Sequence, residues 1–498
     1  MGGNSWGVRS NRVVQLAVLS ILAAAGVLAF GSGSALASGT VFCAPYGAGT
    51  AADVQTAADG GGTVFIKGVC SGQLDLTTSV TLQGLTGGAT SGINGTGFDG
   101  AAITQDSGAY TVTLKNLLVT GGGQNSDDGG GFWNDFRNCS SVTNIVGSHI
   151  TGNTITGTDA WGAGINGESC TTINVTNTLV NGNAGISDQD NGGGIALDCA
   201  QALNLTGSTI TGNSAAGEGG GIFSGSDCGT TVSIVGSTIS LNTAGSDGGG
   251  LYTYGSSLLL QSSSVKNNSA PRDGGGIEFG NASGCCGPVG GSPRRQAKAL
   301  LSSVPFGLTI MSSSVDHNTV QSGAGGGIYV YTGCGGALPV TIDGSSVSFN
   351  QTLGNDLDTD SGGGGYAQFG DCNFDTVGLV ATNSSFGGNL ASKSVGGGIF
   401  NVAYDGTATV SLAQTKVGQT NQTLNPNKAK WGAGIFDFGV GASTALQGGG
   451  QIVHNMASVT GGGVYDDCGS SLTLGAGSLL LFNFPNNLFT NPGCLLED

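Results

Sequence analysis

A short glycine run followed by an apolar residue returns eleven times along this chain, and it limits the fold more than any other feature. The element reads Gly-Gly-Gly-apolar or Gly-Ala-Gly-apolar. Its last glycine stands at Gly131, Gly164, Gly194, Gly221, Gly250, Gly276, Gly327, Gly365, Gly398, Gly434 and Gly463. The intervals run from 26 to 38 residues, apart from one of 51 between Gly276 and Gly327. A second element alternates with it: an apolar residue, two variable residues and Asn. It gives Asn153, Asn183, Asn213, Asn242, Asn268, Asn318, Asn350, Asn389, Asn455 and Asn483, with a degenerate copy, Val417 to Asn421. Self-similarity at this period marks units that bury little alone and form a continuous core by stacking.

Within one unit the residues read as short strands. Leu203 to Ile210 (Leu-Asn-Leu-Thr-Gly-Ser-Thr-Ile) alternates and is rich in β-branched types, and Gly and Asn clusters punctuate such runs. No segment after Gly100 carries a 3.6-residue period. The expected fold is all-β: a right-handed parallel β-helix, about 30 residues per coil, in a single domain over residues 38–498. Eleven marked coils and a few unmarked ones would stack to roughly 55–70 Å at about 4.8 Å per coil. Glycine suits sharp turns between closely stacked coils. The recurrent Asn suits an internal ladder, each amide bonding the next coil. Collagen is excluded, because 98 glycines in 498 residues fall short of one in three and lack a three-residue period. Disorder is excluded by 38% hydrophobic residues and a mean hydropathy of +0.12.

The alternation of Gly-Gly-x-apolar with apolar-x-x-Asn resembles the repeats of the chlamydial polymorphic outer-membrane proteins, with Phe386-Gly-Gly-Asn389 nearest to their Phe-x-x-Asn. More broadly, the chain resembles the parallel β-helices of the pectin-lyase-like superfamily. Asp53 to Lys67 looks like their amphipathic capping helix and first strand, with Val54, Ala57 and Ala58 on one face and Gly60–Gly62 ending it. Leu114 to Gly121 looks like one of their early coils. The chain stops directly after the last repeat, so a membrane-spanning autotransporter barrel is not expected.

Thirty-one acidic residues face fourteen basic ones, two of which, Arg9 and Arg12, lie in the first 37 residues. Such an acidic body repels phosphates, so nucleic acid is not an expected partner. Arg9 and Arg12 precede an apolar run from Val13 to Phe30 and then Ala35-Leu36-Ala37, which reads as a secretory signal peptide over residues 1–37. The rival is an uncleaved anchor, which would be the chain's sole contact with a membrane. The expected location is secreted, extracellular or at the cell surface.

All twelve cysteines follow Ala37, and an even count in an exported chain implies disulfides. Cys139, Cys170, Cys199 and Cys228 recur at similar offsets after the glycine runs. Neighbouring strands about 4.8 Å apart fall within the roughly 4.4–6.8 Å window for a disulfide. The expected pairs are Cys139–Cys170 and Cys199–Cys228, with Cys43–Cys70 and Cys468–Cys494 pinning the ends and Cys334–Cys372 between. Cys285 and Cys286 are left as a vicinal pair or free thiols. They lie in a loop insertion at about 284–306, a solvated excursion with Pro293-Arg-Arg-Gln-Ala-Lys298.

The superfamily resemblance implies action on polysaccharides by paired carboxylates, or by Ca2+ with a basic residue. The chain has Asp127-Asp128, Asp159 and Arg137 as candidate catalytic groups, but no Gly-His-Gly or Arg-Ile-Lys element. An acidic column precedes the glycine runs: Asp128, Asp159, Asp190, Glu218, Asp247, Asp273 and Asp360. Its Ca2+ candidates are Asp128, Asp159 and Asp190; the plainer alternative is a solvated acidic edge that blocks aggregation. No cofactor is required. Trp133, Trp161 and Trp431 flank glycine runs, either to stack on sugars or to cover the coil edge. No coil is enriched in catalytic types. The expected function is therefore binding, display or adhesion toward a polysaccharide or cell-surface ligand. The alternative is a polysaccharide lyase or glycoside hydrolase.

Overall fold

In the computed structural model the described residues are 39–491, apart from 86–89, 107, 124–128, 135–139, 226–228, 282–305, 333–335, 355–360, 371–374 and 420–424. They form four parallel sheets of 15, 14, 10 and 14 strands, taken in the order in which each coil visits them. The chain is a right-handed parallel β-helix. One coil shows the plan. Thr172–Thr176 lies in the first sheet, Leu179–Asn181 in the second, Ala184–Gly185 in the third and Ile195–Asp198 in the fourth, after which Ala202–Thr206 returns to the first. Thr172 pairs with Ala202 and Ile195 with Ile222 without slippage. Ile173, Val175, Val180, Ile195 and Leu197 all point inward and are fully buried, so alternation within each strand fills the lumen with one apolar column.

A single helix, α1 (Ala51–Ala58), caps the first coil with Ala51, Val54 and Ala58 buried. Asp53 Oδ2 accepts the Thr50 N–H at 2.8 Å, tying down the helix start. The disulfide Cys43–Cys70, Cα–Cα 5.0 Å, pins the same end.

The asparagines form the expected ladder. Each Nδ2 donates to the next coil's Asn Oδ1 and to a carbonyl of the preceding coil; for Asn213 these are Asn242 Oδ1 at 3.0 Å and Val180 O at 3.1 Å. Except at Asn455, the Oδ1 of each following rung also accepts the preceding Asn N–H. One rung differs from the sequence reading. Asn421 lies outside the described residues, and the rung between Asn389 and Asn455 is Asn427, bonded to both. The rung therefore lies farther along the chain than counting from Val417 gives. At the far end Asn487 Oδ1 accepts the N–H and Nδ2 of Asn483, both at 3.1 Å.

The glycine runs are shaped by that ladder. A Cβ on the last glycine of a run would stand 2.5 Å from the next coil's glycine carbonyl and 2.9 Å from the ladder amide, as at Gly221 against Gly250 and Asn242. A second ladder was not anticipated. Ser148, Thr178, Ser208, Ser237, Ser263, Ser313, Ser345, Ser384 and Thr415 sit one above another between the first and second sheets. Each hydroxyl oxygen accepts the backbone N–H of the residue one coil earlier.

Candidate functional site

Of the acidic column, Asp128 and Asp360 lie outside the described residues, as do Asp127 and Arg137. Asp159 is exposed and in a left-handed conformation (φ 60°). Three other members stitch loops together. Asp190 accepts N–H groups from Ser187 (2.8 Å) and from Ala160 of the preceding coil (3.1 Å), and burial raises its pKa despite them. Asp247 Oδ1 accepts the Asp273 N–H at 3.1 Å, and Asp273 Oδ1 accepts the Ala324 N–H at 2.7 Å. Asp247 is also paired with Arg272. Among the described residues no three His, Cys, Asp or Glu side chains are grouped closely enough to hold a metal ion.

Glu218 belongs instead to a cluster on the outer face of the fourth sheet. Phe223, Tyr252, Glu278 and Tyr329 occupy one register row on successive coils. Phe223 stacks on Tyr252 at 5.5 Å, and Tyr331 packs against Tyr329 at 5.7 Å and Tyr254 at 6.2 Å. Tyr331 leans across Gly280, where a Cβ would meet its ring at 2.4 Å. The Tyr252 hydroxyl lies beside the Glu218 carboxyl and the Tyr331 hydroxyl. Burial pushes Glu218 up to about 7 and holds Glu278 well above the usual carboxyl range, with Asp247 adding like charge to both. Glu278 is 5% exposed and its Oε2 has no hydrogen-bond partner. Phe223, Tyr252, Glu278 and Tyr329 follow the last glycine of their runs by two residues, as Trp133 does, so the signal in sequence was an outward position after each run.

The tryptophans divide. Trp431 is 8% exposed in an apolar cluster outside the lumen, with Lys430 Nζ 4.1 Å above its ring, and covers the coil edge. Trp133 donates from Nε1 to Glu168 at 3.0 Å, and Trp161 packs 5.5 Å from Phe223.

A third surface surrounds the second sheet. A trough of about 570 Å3 runs across five coils beside the hydroxyl ladder, lined by Thr238, Ser264, Ser314, Ser346, Asn383 and Ser385 among others. Across the three-residue strands from this trough rises a ridge of residues with positive φ. Leu241 (φ 58°), Asn267 (55°), His317 (56°) and Phe349 (58°) occupy the position held by Gly152, Gly182 and Gly212 in earlier coils. Leu241 is 62% and Phe349 39% exposed, and His317 stacks on Phe349 at 5.1 Å. Bulky side chains in this conformation are strained, so the apolar ridge is held at an energetic cost of about 1–2 kcal/mol per residue.

Of the expected disulfides, Cys43–Cys70 is present. Cys170, Cys199 and Cys468 are disulfide-bonded; their expected partners Cys139, Cys228 and Cys494 lie outside the described residues, as do Cys285, Cys286, Cys334 and Cys372. Residues 1–37, read above as a signal peptide, and the segment Pro293 to Lys298 lie outside them too. No protein-family model matches the chain, and no curated protein matches it.

Proposed function

We propose that this is an exported β-helix, of the pectin-lyase-like kind, that binds an extended uncharged glycan along its second sheet and displays it or adheres through it. The trough carries this reading: it is open, spans five coils and is lined by hydroxyl and amide groups. The strands beside it, Thr238–Ser240 through Ser385–Gly387, carry only Lys266 and Asp316 as charges. Hydroxyl groups on one side and the Leu241–Phe349 ridge on the other match the polar edge and apolar face of a sugar ring. Retention of the purified protein on insoluble neutral polysaccharides and on a glycan array tests it. Ser314→Glu with Ser346→Glu places charge in the trough and should weaken binding at least tenfold. Equal retention of wild type and variant would overturn the assignment.

A second reading, a polysaccharide lyase or hydrolase, draws on the raised Glu218 and Glu278 beside Tyr252. Release of sugars from pectin, alginate or chondroitin that is lost in Glu278→Gln would favour it.

A further inference from the structure

The lumen is apolar along most of its length, but toward the C-terminal end it holds a polar chain. The Tyr366 hydroxyl donates to Gln368 Oε1 at 2.8 Å, Gln368 Nε2 to Asn401 Oδ1 at 2.7 Å, and Asn401 Nδ2 to Asp437 Oδ1 at 2.7 Å. Thr444 Oγ1 donates to the same Asp437 oxygen at 2.9 Å. Gln368, Asn401, Asp437 and Asp466 are register partners on four successive coils of the fourth sheet. They share strand parity with Tyr366, Ile399, Ile435 and Val464, all fully buried in the central core, so the two carboxyls point into the lumen one above the other, about 4.8 Å apart along the stack.

Both carboxyls are removed from water: Asp437 is 0% and Asp466 5% exposed. Asp437 Oδ2 and Asp466 Oδ1 are buried and have no hydrogen-bond partner. The groups that act on Asp437 are Asn401, Asp466 and Thr444, and none is cationic; Asp466 responds to burial alone. On the elements packed around them, the first sheet presents Thr444 and Leu446, and the second Ile452 and Leu480. On their own strand Tyr465 and Asp467 have the opposite parity. Asp467 Oδ1 accepts Asn491 Nδ2 at 3.0 Å. Among the described residues the next strand of this sheet is Leu488–Asn491, where the partner of Asp466 is Thr490.

Two buried carboxylates at this spacing cannot both be charged without a counter-ion. One proton resolves the charge and both orphan atoms together, since an Oδ2–H on Asp437 is a donor and Asp466 Oδ1 an acceptor. We propose that Asp437 and Asp466 share a single proton across the lumen, and that this proton locks the last coils onto the stack. Loss of the proton sets two like charges against each other beneath the last described coil. The final coil, whose Leu481, Phe482 and Phe484 are already exposed, then lifts away. The sign follows from burial, which raises Asp466 to about 6 and Asp437 to about 8. Stability from the lock is complete below the unfolded carboxyl value near 3.8 and is lost progressively as pH rises from there through those raised values.

Hydrogen–deuterium exchange of the purified protein from pH 5 to 9, corrected for intrinsic exchange, reads the lock directly. Peptides covering residues 435–491 should lose protection progressively from pH 5 to about 8, by roughly tenfold per pH unit and more steeply below 6, and level off above 8, while those of the central coils hold theirs. Asp437→Asn puts an N–H where the shared proton sits, so protection should persist at pH 9. Asp437→Leu, which fills the volume without a donor, should lose protection at every pH. The infrared band of a protonated carboxyl should be present at pH 7 in wild type and weakened in Asp437→Asn. A pH-independent wild type, an Asp437→Asn with the wild-type slope, or no carboxylic acid band at pH 7 would each overturn the proposal.

Discussion

Replacing Asn427 by alanine is the sharpest test of how this solenoid is held together. Asn427 is fully buried, and its side chain makes four hydrogen bonds. Nδ2 donates to Phe386 O at 2.8 Å and Asn455 Oδ1 at 2.9 Å, while Oδ1 accepts from Asn389 N at 2.9 Å and Asn389 Nδ2 at 3.2 Å. A neutral buried hydrogen bond contributes about 1 kcal/mol net, and stranding a buried N–H costs a further 1–3 kcal/mol, so the loss should be about 5–7 kcal/mol. Asn421→Ala, the rung that the spacing alone suggests, should change stability by less than about 0.5 kcal/mol. Guanidinium unfolding followed by far-UV circular dichroism gives the global change. Hydrogen exchange over residues 365–464 reports local opening, which a one-dimensional stack allows without global unfolding. A loss below about 1.5 kcal/mol with unchanged local exchange would refute the ladder argument. So would Asn421→Ala proving the costlier change.

Two further outcomes follow from the same geometry. Gly221→Ala forces a Cβ to within 2.5 Å of Gly250 O and should lower stability by about 3 kcal/mol. Gly212→Ala meets nothing within 4 Å but keeps φ +63° and should lower it by only about 1 kcal/mol; thermal melts that rank them the other way would contradict the close-approach reading. Glu218, raised by burial to about 7, contributes stability that is full below its unfolded pKa near 4.5 and is lost as pH rises through 7. The melting temperature of Glu218→Gln should therefore gain on wild type between pH 5 and 8, and a constant difference would count against the assignment.

Periodicity made the stack legible. Residues such as Asn213 and Gly221 recur because each must contact its own copy in the next coil, so coil length, parallel pairing and the Asn ladder are written in spacing alone. The hydroxyl ladder was equally available, since Ser208, Ser237 and Ser263 stand two residues before the apolar position of each unit, but serine is common enough in this chain to hide it. Cys43–Cys70 was readable because the end of the stack lacks a neighbour coil, and a covalent link pins it instead. Other features depend on three-dimensional closure. Which asparagine of a degenerate unit meets the ladder is settled by its position in the folded coil, so Asn427 takes the place expected of Asn421. Strand parity decides that Glu278 joins Glu218 and Tyr252 outside the coil whereas Asp437 and Asp466 face each other within it. Repetition along the chain encodes which residues stack; only the folded path determines which side of the wall each side chain occupies, and with it whether a carboxyl meets water, a tyrosine or another carboxyl.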